Sequence, residues 1–124
     1  MIAQAEKAPG ERPLLVLASA DSLFAALNCR HFRRLGWEVH LANSGCEARR
    51  MAGVFNPLVV VLDTELRDES GWLVCDKLTR DMPGQKVILV SPDPSEENRS
   101  LAEFVGAAAL VGRDTGIDAL VEEV

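Results

Sequence analysis

The chain lacks any apolar run near the ~20 residues that a membrane-spanning helix needs. Its start, MIAQAEKAPGER, lacks the apolar core of a signal peptide. Both absences lead to the expectation of a cytoplasmic protein with no membrane partner. Cysteine is scarce: Cys29, Cys46 and Cys75 are the only three, and no two of them form a CxxC pair. An odd, scattered set argues against a disulfide framework and a cysteine zinc site, and leaves buried free thiols as the expectation. The only two histidines are His31, in a helical pattern, and His40, in a strand-like one. A histidine-based hydrolytic site has little to be built from, and we expect no enzyme. Glycine is missing after the first apolar segment, where ASADS offers none. That removes the backbone cradle on which nucleotide- and flavin-binding folds seat a phosphate.

What is present suits one domain: 124 residues can bury a core without metals or disulfides. The formal charge of -6 makes nucleic acid a poor ligand. The charge is uneven. Residues 1–62 hold seven Lys/Arg against five acids, and residues 63–124 hold six against fourteen, so +2 and -8 give the -6. Arg30, Arg33, Arg34, Arg49 and Arg50 supply most of the basic half. Solvated helix faces account for them; a docking surface for an acidic partner is the sharper reading.

Residues 1–12 read as a flexible arm before a domain over 13–124. Four short apolar runs, LLVLAS (14–19), LVVVLD (58–63), KVILVS (86–91) and AALVG (108–112), read as strands, and WEVHLA (37–42), which alternates, reads as a strand with one face less buried. Between them lie helical patterns. In the first, Asp21 is the N-cap, Phe24, Leu27, His31 and Leu35 make the stripe, and Gly36 is the stop. The second spans 44–53 with Ala48, Met51 and Ala52 inward and Gly53 as terminator. The third follows Gly71 with Trp72, Cys75 and Leu78 on one side. In the fourth, Ser95 caps Glu96 and Glu97. The fifth opens on a Thr115–Asp118 capping box, with Ile117, Leu120, Val121 and Val124 as its stripe. Core or rim packing is expected for Trp37 and Trp72. Apolar strands alternating with amphipathic helices imply an α/β, doubly wound flavodoxin-like parallel sheet in the order 2-1-3-4-5. Such sheets bind at the carboxyl ends of their strands, where Asp63, Ser91 and Arg113 would converge with Asp21 and Glu65 near the rim. These groups could bind a metal, hold a phosphate, or satisfy one another as a polar cap.

At these residues the stretch from Leu14 to Val124 resembles the receiver domain of bacterial two-component response regulators. LVVVLD with Gly71 eight residues after Asp63 resembles the phosphoacceptor segment, and VILVS the fourth strand with its switch hydroxyl. FVGAAALV resembles the step into the fifth strand, and LGWEVHLANSGCEA the second strand and helix. The resemblance implies that Asp63 holds the phosphoacceptor position. It also implies magnesium held by an acidic pair, with a lysine and a hydroxyl on the phosphoryl oxygens. The implied partners are a histidine kinase or phosphotransfer protein, an output domain or protein, and, as a further option, a homodimer. Arg30, Arg33 and Arg34 fall where receivers usually meet phosphotransfer partners.

The departures are specific. The acidic pair is Ser19 and Ala20, and alanine cannot ligate a metal. Magnesium would fall to Asp63, Asp21 and Glu65. Arg113 replaces the lysine, Asp114 the proline after it, and Leu110 the aromatic switch residue. Pro92 after Ser91 removes an amide donor. Glu65, Asp68 and Glu69 would repel a phosphate. The reading is an atypical, degenerate receiver in which a bidentate Arg113–Asp63 pair holds one state, working by protein contacts with weak or no magnesium-dependent phosphorylation. The alternative is a working phosphoacceptor on Asp63.

Overall fold

The computed structural model describes residues 12–115 and 117–124. Apart from Arg12, the expected flexible arm lies outside the described residues. So do the side chains of Thr115 and Ile117, and with them the expected capping box.

Five parallel strands, β1 (Leu14–Ala18), β2 (Glu38–Ala42), β3 (Val59–Asp63), β4 (Lys86–Ser91) and β5 (Ala109–Gly112), form one sheet in the order β2-β1-β3-β4-β5. Helices α1 (Ser22–Arg34), α2 (Gly45–Phe55), α3 (Gly71–Asp81), α4 (Glu96–Phe104) and α5 (Ile117–Glu123) alternate with them. This is the doubly wound flavodoxin-like arrangement that the strand–helix alternation implied.

The period of two in each strand divides the core into two layers. Val16, Val60, Leu62, Val87 and Leu89 face Ala48, Ala52, Val74, Cys75, Leu78 and Ala102 on α2, α3 and α4. Leu15, Leu17, Val59, Val61, Ile88 and Val90 face Cys29, Phe32 and Leu120 on α1 and α5. The central strand β3 is buried along its whole length. Its Val-Val-Val-Leu run is therefore a strand covered on both faces, which no amphipathic pattern could serve.

Three local expectations change. In α1 the buried side chains are Asn28, Cys29 and Phe32, whereas Leu27 and Leu35 are 50% and 39% exposed. The stripe is rotated by about one residue, because Phe32 must reach Trp37, against which it packs edge-on at 6.2 Å. Trp37 follows Gly36, whose φ of +98° ends the helix while the Trp37 amide donates back to Phe32 O. That reversal delivers the indole into the core, fully buried; Trp72 is only partly buried. Gly53 does not end α2, which runs on to a left-handed Asn56 at φ 51°. Cys46 is exposed, unlike Cys29 and Cys75. Burial pushes the Cys75 thiol up to about 12, which keeps it a neutral, unreactive core group at physiological pH.

Candidate functional site: a saturated carboxylate at the strand ends

Asp63 is the last residue of β3, and its side chain is fully buried. A buried carboxylate must be neutralised or hydrogen-bonded. Here the donors come from three directions. Ser19 Oγ, just past β1, donates to Oδ2 at 3.1 Å. The Glu65 backbone N–H donates to Oδ1 at 3.0 Å. Arg113 Nη2, just past β5, donates to both oxygens. An ionised carboxylate offers about four acceptor positions, and four donated bonds fill them.

The Arg113–Asp63 pair has a different form from the expected two-nitrogen fork. One guanidinium nitrogen serves both oxygens, while Arg113 Nε is buried with no hydrogen-bond partner among the described residues. The arginine thus acts as a single charged donor head, as an ammonium would. Its side chain is 22% exposed, and Glu65 Oε1 lies 4.0 Å from Nη2 at the rim.

Gly71 explains the spacing of this segment. The loop after Asp63 folds straight back, with the Gly71 N–H donating to Thr64 O at 2.9 Å. A Cβ on Gly71 would overlap the Asp63 carbonyl oxygen and lie 2.8 Å from Asp63 C and Thr64 Cα. Only glycine lets α3 start this close to the strand end. Ser70 then caps α3 by accepting from the Leu73 N–H at 3.2 Å.

Other expected site residues are not drawn in. The Ser91 hydroxyl is engaged in its own loop, accepting from the Asp93 N–H at 3.0 Å and donating to Asp93 O at 3.2 Å. It does not join Asp63 and Arg113. Leu110 is buried in the layer under α4. Asp21 caps α1, with Oδ1 accepting from the Phe24 N–H at 3.0 Å. Glu65 is 70% exposed. Asp63, Asp21 and Glu65 do not assemble into a metal site: among the described residues no group of three His, Cys, Asp or Glu could hold an ion. The Ala20 side chain has no ligand atom, and the Ser19 hydroxyl is used on Asp63. These residues therefore do not fit magnesium as they stand.

The expected repulsion from Asp68 and Glu69 is also redirected. Asp68 turns to the N-terminus of α2, where the Gly45 and Cys46 N–H groups donate to it at 2.7 and 2.9 Å. Glu69 pairs with Lys77 at 3.3 Å. The Cys46 and Gly45 amides hold the Asp68 carboxyl below its ordinary 3.8. A carboxyl lowered on folding contributes stability above its unfolded value and loses it as pH falls through the folded one. Asp68→Asn is therefore expected to lower the denaturation midpoint at neutral pH. The gap to the unmodified chain should close as pH falls below 3.8. A gap that stays constant down the acid range, in chemical denaturation, would show that Asp68 is not an ionic cap.

Arg30, Arg33 and Arg34 lie in the last turns of α1. The helix starts just beyond the carboxyl end of β1 and runs back, so they sit ~12–18 Å along its axis from the Asp63 end. Arg33 Nη2 is tied to Val39 O at 3.0 Å. They are not at the mouth of the crevice. Sequence reasoning missed Ser19 as the donor that replaces an acid; its position just past a strand end, on the neighbouring strand to β3, was the available signal.

No protein-family model matches the chain. The probable transcriptional regulatory protein TcrX of Mycobacterium tuberculosis is 29% identical over 115 residues, 93% of this chain and 49% of that protein. The chain thus spans about half the length of this curated relative. The receiver domain of Francisella response regulator 1452 superposes with a TM-score of 0.84 at 23% identity, over 90% of this chain and 92% of that one. A Burkholderia pseudomallei response regulator, whose structure has a phosphorylated aspartic acid and a calcium ion, gives 0.81 at 19% identity, over 90% of this chain and 65% of that one. Across the span they cover, sheet order and helix placement are those of response-regulator receiver domains, and this chain has the receiver fold.

Proposed function

We propose that residues 13–124 are a receiver domain of a two-component response regulator whose acceptor site is held closed. It acts in cytoplasmic signal transduction through protein contacts, with a kinase, phosphotransfer protein or output module as partner, and with weak or no magnesium-dependent phosphorylation. The supporting observation is the Asp63 carboxylate itself: fully buried, with every acceptor position filled by Ser19, Glu65 and Arg113. A carboxylate oxygen must present a free lone pair to attack phosphorus, and a metal must share the site to screen the incoming charge. Neither condition is met while Arg113 stays in place. The Burkholderia relative carries a phosphorylated aspartate and calcium; here the metal-holding pair is replaced and a guanidinium supplies the positive charge. The domain is read as non-enzymatic.

The test is a titration of magnesium, then magnesium with beryllofluoride, into isotopically labelled protein, followed by amide NMR. A flat response around Asp63 and Ser91 in a well-dispersed spectrum is expected. Saturable shifts that disappear in Asp63→Asn would replace this reading by that of a working phosphoacceptor.

A further inference from the structure

Two surfaces of this chain complement each other. The first is a cleft of about 520 Å³ between α1 and the edge strand β2, floored by Ala26, Cys29 and Leu41 and rimmed by Arg30, Arg33 and Arg34. Among the described residues none of these arginines has a carboxylate within 4.0 Å. Leu41 is 43% exposed at its edge. An apolar floor under guanidinium groups that lack carboxylate partners suits an apolar side chain next to a carboxylate.

The second surface is the outer face of α4. Glu97, Leu101 and Phe104 stand at i, i+4 and i+7 on one stripe. Phe104 is 86% exposed, the most exposed large apolar side chain among the described residues, and Leu101 is 40% exposed. Glu97 has no ion-pair partner among the described residues. A freely exposed aromatic on one stripe with an unpaired acid matches the requirement of the cleft, and both sit on every copy.

We infer that the chain self-associates head to tail, with the Glu97–Leu101–Phe104 face of α4 on one copy seated in the Arg30/Arg34-rimmed cleft between α1 and β2 of the next. The cleft lies on the α1 face at the β2 edge and α4 packs on the other face toward the β5 edge, so one neighbour does not engage both; the contact is heterologous and leaves a free cleft and a free α4 at the ends of every open assembly. Net charge does not forbid it. At physiological ionic strength the Debye length is about 8 Å, so the repulsion between distant acids is screened while contacting pairs are not. The footprint is small, which places the association among weak, transient interfaces.

Sedimentation of the unmodified chain over a range of concentrations tests this. A weight-average mass that rises without stopping at a dimer is expected. Phe104→Ser, and separately Arg30→Glu with Arg34→Glu, should each weaken association ~10-fold or more. All three positions are exposed, and Arg33, which ties α1 to β2, is left untouched. Mixing the two variants should restore one kind of contact and give a 1:1 pair that does not extend. A chain that stays monomeric at the highest concentration overturns the proposal. So does a closed dimer that survives the arginine changes, or a mixture that fails to pair.

Discussion

Arg113→Ala is expected to lower folding stability by about 3 kcal/mol, the lower end of the range for removing one partner of a buried ion pair. The lower end applies because the Arg113 side chain is 22% exposed, whereas that of Asp63 is not exposed at all. Without the guanidinium, the Asp63 carboxylate keeps only the Ser19 hydroxyl and the Glu65 amide, with no counter-charge. The cost is the stranded anion rather than the lost contact, so it should be relieved by removing the charge. Asp63→Asn in the Arg113→Ala background is expected to recover most of the loss, giving a coupling of more than ~1 kcal/mol in a double-mutant cycle. Because one nitrogen serves both oxygens, Arg113→Lys should retain more stability than Arg113→Ala. Urea denaturation of the four variants decides it. Additive changes, or an Arg113→Ala effect within ~0.5 kcal/mol, would mean that the pair does not hold the site.

The second large effect is at the glycine behind the carboxylate. Gly71→Ala is expected to destabilise by ~3 kcal/mol or more, since the added methyl meets backbone that cannot rotate aside. The obstructing atoms are Asp63 O, Asp63 C and Thr64 Cα. Relief requires α3 or the end of β3 to move, so amide shifts should change at Asp63, Thr64 and Arg113 even where the variant folds. Gly53→Ala is the matched control. It sits inside α2, and a Cβ there meets nothing within 4 Å. It should be neutral or stabilising by ~0.5–1 kcal/mol, the ordinary helix preference for alanine over glycine. Equal effects at the two glycines would remove the close-approach explanation for the Asp63–Gly71 spacing.

How far the sequence reached depended on the range of the forces involved. Val59 to Leu62 could only be a strand covered on both sides, because four consecutive apolar residues bury every face of an extended chain. Four such apolar segments and the alternating one at 37–42, separated by amphipathic helices, left one common topology, so the sheet order was legible. Asp63 at the end of the central strand was legible for the same reason, whereas only the resemblance to receiver domains marked Ser19 and Ala20 as standing in place of an acidic pair. Helix registers were less so: Leu27 and Phe32 are both apolar, and only the docking of Phe32 on Trp37 selects between them.

Hydrogen-bond partners were decided by the tertiary structure. Asp21 and Ser91 were candidate site residues and Asp68 an expected source of repulsion beside them, but each found backbone partners elsewhere, at the start of α1, the loop to Asp93 and the start of α2. Short polar side chains satisfy adjacent amides before reaching across a crevice. Ser19 also accepts from a near amide, the Asp21 N–H at 3.0 Å, but its hydroxyl lies closer to Asp63 Oδ2, at 3.1 Å, than to Asp21 O, at 3.5 Å, and with Arg113 it closes on the carboxylate from the two strand ends. Composition and periodicity set the frame; which carboxylates stayed in the site was settled by where the free amides of the helix ends came to lie.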